Sequence, residues 1–253
     1  MRENRILKVW SENGVVINGW LHNPSSYSAE VLANQDYDCL TIDLQHGMID
    51  FQAAFGMLQA ISSKPVSPIV RVPSHDQAMM MKMLDAGAYG LICPFINNRE
   101  ECEKFVGACK YPPVGVRSNG AHRAMNYAGA DYMQHADDTI VTLAMIETVE
   151  GLKNVDEIAS VDGLSGLFVG PADLAFSLGL KPQLELVDPV LDEAIDTIIA
   201  AAKRHNINVG TVSSNGEAAR KCVERGFNFV SPGTETGLLA GAAASNIKIA
   251  RGQ

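Results

Sequence analysis

The sequence predicts an α/β fold, a closed (β/α)8 (TIM) barrel in one domain over residues 1–253, with a long insertion between strands 4 and 5. Three observations carry this. Short apolar runs alternate with amphipathic stretches along the chain, eight such runs can be counted, and 253 residues is the usual size of an eight-unit barrel. The runs are continuously apolar instead of alternating, as expected for parallel strands covered on both faces. An open doubly wound sheet is the alternative that the same alternation permits.

Taken in order, the strands are read at Val15–Trp20, Cys39–Asp43, Pro68–Val72 and Gly90–Pro94, then Val141–Glu147, Leu164–Gly170, Asn208–Val212 and Phe227–Ser231. Each is rich in β-branched or other apolar residues and ends in polar, Gly or Pro residues. The intervening helices are read at Phe51–Ile61, Asp76–Ala86, Arg99–Cys109, Leu152–Ser160, Pro189–His205 and Gly216–Arg225, where apolar residues recur at helical spacing. Only Tyr111–Thr139 breaks the rhythm. Its three Tyr, two His and two Arg argue against plain disorder, and long loops in compact domains are commonly functional.

Composition narrows the function classes. With 47% hydrophobic and 19% charged residues the chain can bury a large core. A net charge of −9 makes nucleic acid a poor partner, because binding a phosphate backbone needs clustered Lys and Arg. The five cysteines form no CxxC pair, so neither a disulfide framework nor a Cys-based zinc site is indicated. The N-terminal MRENRILKVW lacks an apolar signal core, and no apolar run is long enough to span a membrane. A soluble, reduced, cytoplasmic protein is expected.

In a (β/α)8 barrel the active site lies at the C-terminal strand ends. The second strand leads into Asp43-Leu44-Gln45-His46, the third carries Arg71, the fifth ends in Glu147, and the sixth runs through Gly170-Pro171-Ala172 to Asp173. Asp85 sits late in the helix after the third strand, ahead of Gly87. Each has a plain structural reading. His46 can be an ordinary loop histidine, Arg71 a partner for any acidic group, Asp173 a helix N-cap and Asp85 a solvated helix residue. Glu147 is harder to explain away, since a carboxylate closing an apolar run is costly to bury without a cation or donor.

Glu147 and Asp173 are 26 positions apart, about one βα repeat. Neighbouring strands lie about 5 Å apart, so the two can reach one ion. Two carboxylates without His or Cys nearby in sequence suit a hard divalent cation, Mg²⁺ or Mn²⁺, that keeps open positions for substrate oxygens. A cation, an Arg and a histidine base together suit enolate chemistry. Other signals are weaker. His122 and Arg123 suit substrate contact or subunit packing. The small residues at Gly210–Ser214 and Ser231–Thr234 suit an anion cradle or ordinary turns. Met79, Met80, Met81 and Met83 suit core or interface packing. No GxGxxG or P-loop motif is present.

Together, YDCLTIDLQHG (37–47), PIVRVP (68–73), LDAGAYGLICP (84–94), YPPVGVR (111–117), MIET (145–148) and GLFVGPADLA (166–175) resemble the HpcH/HpaI aldolase family, in order and spacing, over about residues 15 to 240. The resemblance implies a class II, metal-dependent pyruvate aldolase. Glu147 and Asp173 correspond to its ligands for Mg²⁺ or Mn²⁺, with Co²⁺ also possible. Arg71 corresponds to the residue that holds the keto oxygen and stabilises the enolate, and His46 to the proton-handling histidine. Asp85 matches the carboxylate paired with that histidine, across a subunit interface, and Asp43 a second acid near the dyad. Gly170, Pro171 and Ala172 correspond to the cradle for the pyruvate carboxylate. A homo-oligomer, a hexamer with a helix exchanged between neighbours, is also implied. The chain departs from the family at Gln45, commonly Glu, at Met145, commonly Gln, and at Arg117-Ser118, commonly Arg-Gly.

The expected reaction is reversible cleavage of a 4-hydroxy-2-oxo acid to pyruvate and an aldehyde. An oxaloacetate-type decarboxylase would pass through the same enolate, and a lyase for acyl-CoA thioesters is a more distant possibility. A non-catalytic keto-acid or metal-binding barrel is the reading from another class.

Overall fold

The computed structural model describes residues 1–184 and 188–253. Eight parallel strands close into a barrel in sequence order: β1 (Val16–Leu21), β2 (Cys39–Asp43), β3 (Ser67–Arg71), β4 (Gly90–Cys93), β5 (Val141–Ile146), β6 (Gly166–Val169), β7 (Asn208–Ser213) and β8 (Phe229–Pro232). β8 pairs back onto β1 through Val16↔Phe229 and Ile17↔Val230, so no edge strand is left open. This is the expected (β/α)8 fold, and the open-sheet alternative is excluded.

The helices are α1 (Arg5–Ser11), α2 (Ser26–Ala33), α3 (Phe51–Ile61), α4 (Gln77–Asp85), α5 (Arg99–Cys109), α6 (His122–Ala128) and α7 (Tyr132–Thr139). They continue with α8 (Val149–Lys153), α9 (Val155–Ala159), α10 (Pro171–Ser177), α11 (Pro189–Arg204), α12 (Gly216–Arg225) and α13 (Glu235–Ala250). Side-chain caps fix many of the starts. Asp50, Asp76, Asn98, Thr148, Asn215 and Thr234 each accept a backbone N–H from the first turn of their helix. The helix expected over Leu152–Ser160 is two, meeting at Asn154, whose amide donates to the Asn97 carbonyl at 2.8 Å.

Two buried clusters make the core. The larger lies between strands and helices. The smaller fills the barrel interior, where Val16, Trp20, Cys39, Ile69, Ile92, Leu143, Met145, Phe168 and Phe229 interdigitate. Ile6 of α1 belongs to the interior set, so the N-terminal helix plugs the end of the barrel opposite the strand C-termini. All five cysteines are free and buried, as small hydrophobes.

The insertion after strand 4 is ordered. α6 and α7 pack onto the barrel through Arg117, whose side chain is fully buried. It donates to Asp85 Oδ1 at 2.8 Å and to the Tyr132 hydroxyl at 2.9 Å. Arg123 donates to Ser62 Oγ at 3.0 Å, which ties α6 to α3 within the same chain. Both arginines therefore serve as packing struts. α13 differs from the rest: of its residues only Glu235 is buried, and Leu238, Leu239, Ile247 and Ile249 are exposed.

Candidate active site

Strand register assembles the site. β2 and β3 pair with Asp43 opposite Arg71, and β1 and β2 pair Leu21 with Ile42, so the next step brings His22 level with Asp43. Across the barrel, Ile146 pairs with Val169, which sets Glu147 and Gly170 side by side. His22, Asp43 and Arg71 thus stand side by side on one part of the rim and Glu147 and Gly170 on another, all at the C-terminal strand ends and, Asp43 apart, lining one cavity.

Arg71 reaches Asp43 through two nitrogens, Nε at 2.9 Å from Oδ1 and Nη2 at 2.5 Å from Oδ2. Its guanidinium also lies 4.9 Å from the centre of the Trp20 ring. Asp43 is wholly buried and saturated with donors. Oδ2 also accepts from Trp20 Nε1 at 3.1 Å and His22 Nε2 at 2.9 Å, and Oδ1 from the backbone N–H groups of Gln45 and His46. Burial alone would raise the Asp43 carboxyl, but His22 and Arg71 hold it well below the usual carboxylate range. It stays ionised, and its two hydrogen bonds to Arg71 fix where the guanidinium lies.

Those backbone donors belong to the loop that carries His46, which turns tightly at Gly47. A Cβ on Gly47 would lie 2.3 Å from the Asp43 carbonyl oxygen, so no larger residue lets the loop pass. The His46 side chain is exposed at the cavity mouth.

Glu147 faces the pair from the other side. It is 2% exposed, and its Oε1 accepts the Phe95 N–H at 2.8 Å. Burial pushes its carboxyl up to about 7, against the lowering pull of that N–H, and Asp173 adds to the rise. Asp173 sits in the first turn of α10, which begins at Pro171 directly after β6. Gly170 is needed here: a Cβ would come 2.7 Å from Glu147 Oε2 and 2.9 Å from Glu147 Cβ.

These side chains enclose a cavity of about 230 Å³. Arg71 is its one cation among the described residues, and Trp20, Met145, Phe168, Pro171, Leu184 and Val212 supply apolar walls. Among the described residues no three His, Cys, Asp or Glu side chains gather to hold a metal, and Glu147 and Asp173 are the two carboxylates that line the cavity. A buried carboxylate with a raised pKa beside a second carboxylate is a donor set that fits a hard divalent cation.

The structure brings together His46, Arg71, Asp43, Glu147, Asp173 and the Gly170–Ala172 segment. It places Asp85 elsewhere. α4 runs from the end of β3 back to the start of β4, so Asp85 lies at the opposite end of the barrel, bound to Arg117. Within one chain it does not meet His46. Two site residues were not expected from the sequence: Trp20, which by type is one more apolar strand residue, and His22, which lies two positions past the expected end of the first strand. The strand-end test that found the others, carried two residues further, would have reached His22.

The HpcH/HpaI aldolase/citrate lyase family model matches residues 17–242. The chain belongs to that family. It is 40% identical over 248 residues to a hydroxypyruvate/pyruvate aldolase of Rhizorhabdus wittichii, covering 98% of this chain and 99% of that one. It is 38% identical over 229 residues to a 4-hydroxy-2-oxo-heptane-1,7-dioate aldolase of Shigella flexneri, covering 88% and 84%. A crystal structure of an HpcH/HpaI aldolase/citrate lyase family protein from Burkholderia cenocepacia superposes with a TM-score of 0.91 at 29% identity, over 98% and 99% of the two chains. The expectation of an aldolase-type lyase on a (β/α)8 barrel therefore stands. Two of the departures from the family pattern fall at the site: Met145 is part of the cavity wall, and Gln45 has its buried Oε1 without a hydrogen-bond partner among the described residues.

Proposed function

We propose that the protein catalyses the reversible, divalent-cation-dependent aldol cleavage of a 4-hydroxy-2-oxo acid to pyruvate and an aldehyde. The observation that carries this reading is one cavity with a fixed guanidinium on one wall and a pair of carboxylates on the other. Aldolase-named relatives at 38–40% identity support it.

In the cleavage direction the C4 hydroxyl loses its proton, the C3–C4 bond breaks, and the aldehyde leaves. The electron pair passes into the C2 carbonyl to give the pyruvate enolate, whose C3 then takes up a proton. Arg71 meets the negative charge that builds on the C2 oxygen. Asp43 holds it for that task, so no reorganisation is needed as charge develops. His46, at the cavity mouth, handles the proton. The backbone of Gly170, Pro171 and Ala172 at the start of α10 receives the substrate carboxylate. Glu147 and Asp173 would hold a divalent cation, Mg²⁺ or Mn²⁺ by donor type, which would supply Lewis acidity to the reaction when bound.

Asp85 can serve this site only from a neighbouring copy, with its carboxylate turned toward the other chain's His46. The exposed apolar residues of α13 support such an assembly, since a 16-residue helix with one buried side chain has its partner outside the chain. Five free, buried thiols suit a reducing cytoplasm. No described helix is long and apolar enough to cross a membrane.

The test is deuterium uptake at the pyruvate methyl group, followed by NMR in D₂O, alongside retro-aldol assays on 4-hydroxy-2-oxo acids. Exchange by the wild type, lost in EDTA and in Arg71→Ala, is the expected result. Undiminished exchange in either condition overturns the assignment. Release of CO₂ from oxaloacetate without any aldol activity would move the reading to a decarboxylase.

A further inference from the structure

His22 is the second histidine of the cavity, and none of the chemistry above uses it. It follows the last residue of β1 and its side chain is about one-quarter exposed, on the cavity side. A histidine in that position invites a role as acid or base. Its surroundings speak against one.

Both ring nitrogens are directed at protein atoms. Nε2 lies 2.9 Å from Asp43 Oδ2, and Nδ1 lies 3.4 Å from Thr236 Oγ1. Because Asp43 is an ionised acceptor in every arrangement, Nε2 must carry the proton and donate it. The backbone around the ring is pinned as firmly. The N–H groups of His22 and Asn23 donate to Glu235 Oε2 at 3.2 and 3.1 Å, and the His22 carbonyl accepts the Met48 N–H at 3.0 Å. Glu235 is 8% exposed, and its other oxygen has no hydrogen-bond partner among the described residues, so the hydrogen bonds found for this carboxylate are these two. One residue is thereby joined to three parts of the site: the Asp43 carboxylate, the loop carrying His46, and the start of α13.

We propose that His22 is a positioning residue. It donates to Asp43 Oδ2, the oxygen that also receives Arg71 Nη2, and so fixes the plane of the carboxylate that aims the guanidinium at the developing enolate oxygen. It contributes to the reaction through Arg71 and moves no proton of the substrate. This rests on the enolate role given to Arg71 above.

Two variants separate the possibilities. His22→Leu removes the donor with little change in volume, and His22→Gln returns an amide N–H near the place of Nε2. With pyruvate and Mn²⁺ present, methyl deuterium exchange should fall about 10- to 100-fold in kcat for the Leu variant, the loss expected for a hydrogen bond to a charged group. KM should change less than kcat. The Gln variant should return to within about threefold of wild type, with the limbs of its kcat/KM pH profile in place. If Gln is as slow as Leu, or loses a limb of the profile, the ring itself transfers a proton and the proposal fails. It also fails if Leu matches the wild type. Should the Leu variant not fold, the rate and pH profile of the Gln variant decide alone. A crystal structure of each variant gives a readout independent of turnover: Arg71 should leave Asp43 in Leu and keep its place in Gln. If the wild type exchanges no deuterium, the aldolase reading is at fault, while the Arg71 positions still judge the role of His22.

Discussion

Replacing Glu147 by Gln should stabilise the metal-free protein at alkaline pH while abolishing cation binding. The carboxyl has its ordinary value of 4.5 in the unfolded chain and is pushed up to about 7 when folded, chiefly by burial. The native state therefore binds this proton more tightly than the unfolded one. Its contribution to stability is fully present below about pH 4.5 and is lost as pH rises through 7. At about 1.36 kcal/mol per pKa unit, the loss between pH 5 and pH 8 comes to about 2–3 kcal/mol. The neutral amide of Gln avoids it, and its oxygen can still accept the Phe95 N–H. For a chain of this size 1 kcal/mol is worth about 2–4 °C, so in EDTA the Tm of the variant should gain about 5–10 °C on the wild type between pH 5 and pH 8. Excess Mn²⁺ should raise the wild-type Tm at pH 8 and leave the variant unmoved. If the difference between the two Tm curves is flat with pH, the carboxylate is not strained by burial and the cation has no such charge to relieve.

Asp43→Asn should be among the most damaging single changes to stability, about 3–5 kcal/mol in urea unfolding, because it leaves the buried Arg71 charge without its partner. The sign with pH is opposite to that of Glu147. Asp43 is held below its ordinary value, so its contribution is present above about pH 4 and lost as pH falls further, and acid titration of the variant should lack that component. Gly170→Ala should lower kcat by at least tenfold, measured by deuterium exchange, since the new methyl group must displace the Glu147 carboxylate. Leu239→Glu with Ile249→Glu, on the exposed face of α13, should shift sedimentation toward smaller species. An unchanged sedimentation profile would refute an assembly through this face of α13.

Much of this molecule is written locally. Apolar runs such as CLTID and GLIC mark strands because a parallel strand buried on both faces has no room for alternating polarity. Their number and spacing define the barrel, and the helices at Phe51–Ile61, Arg99–Cys109 and Gly216–Arg225 have the extents that their periodicity predicts. α13 escaped that reading because its sequence carries no apolar stripe facing its own barrel, and its apolar residues are exposed. The insertion concealed α6 and α7 for a related reason. Their packing depends on Arg117 and Arg123, long polar side chains whose buried contacts with Asp85 and Ser62 come from distant parts of the chain.

The same division runs through the site. By itself the sequence determined which strand ends carry Asp43, Arg71, Glu147 and Asp173, since a charged residue closing an apolar run stands out wherever the chain folds. Only the tertiary structure decided which of them meet and what each one touches. Closure of the barrel and the register of β1, β2 and β3 set His22, Asp43 and Arg71 in a row, where the Asp43 carboxylate accepts from both neighbours. The direction of α4 carried Asp85 to the far end, beyond reach of His46 in the same chain. Residue type is a local property, whereas distance between residues twenty or more positions apart is fixed only when the strands pair.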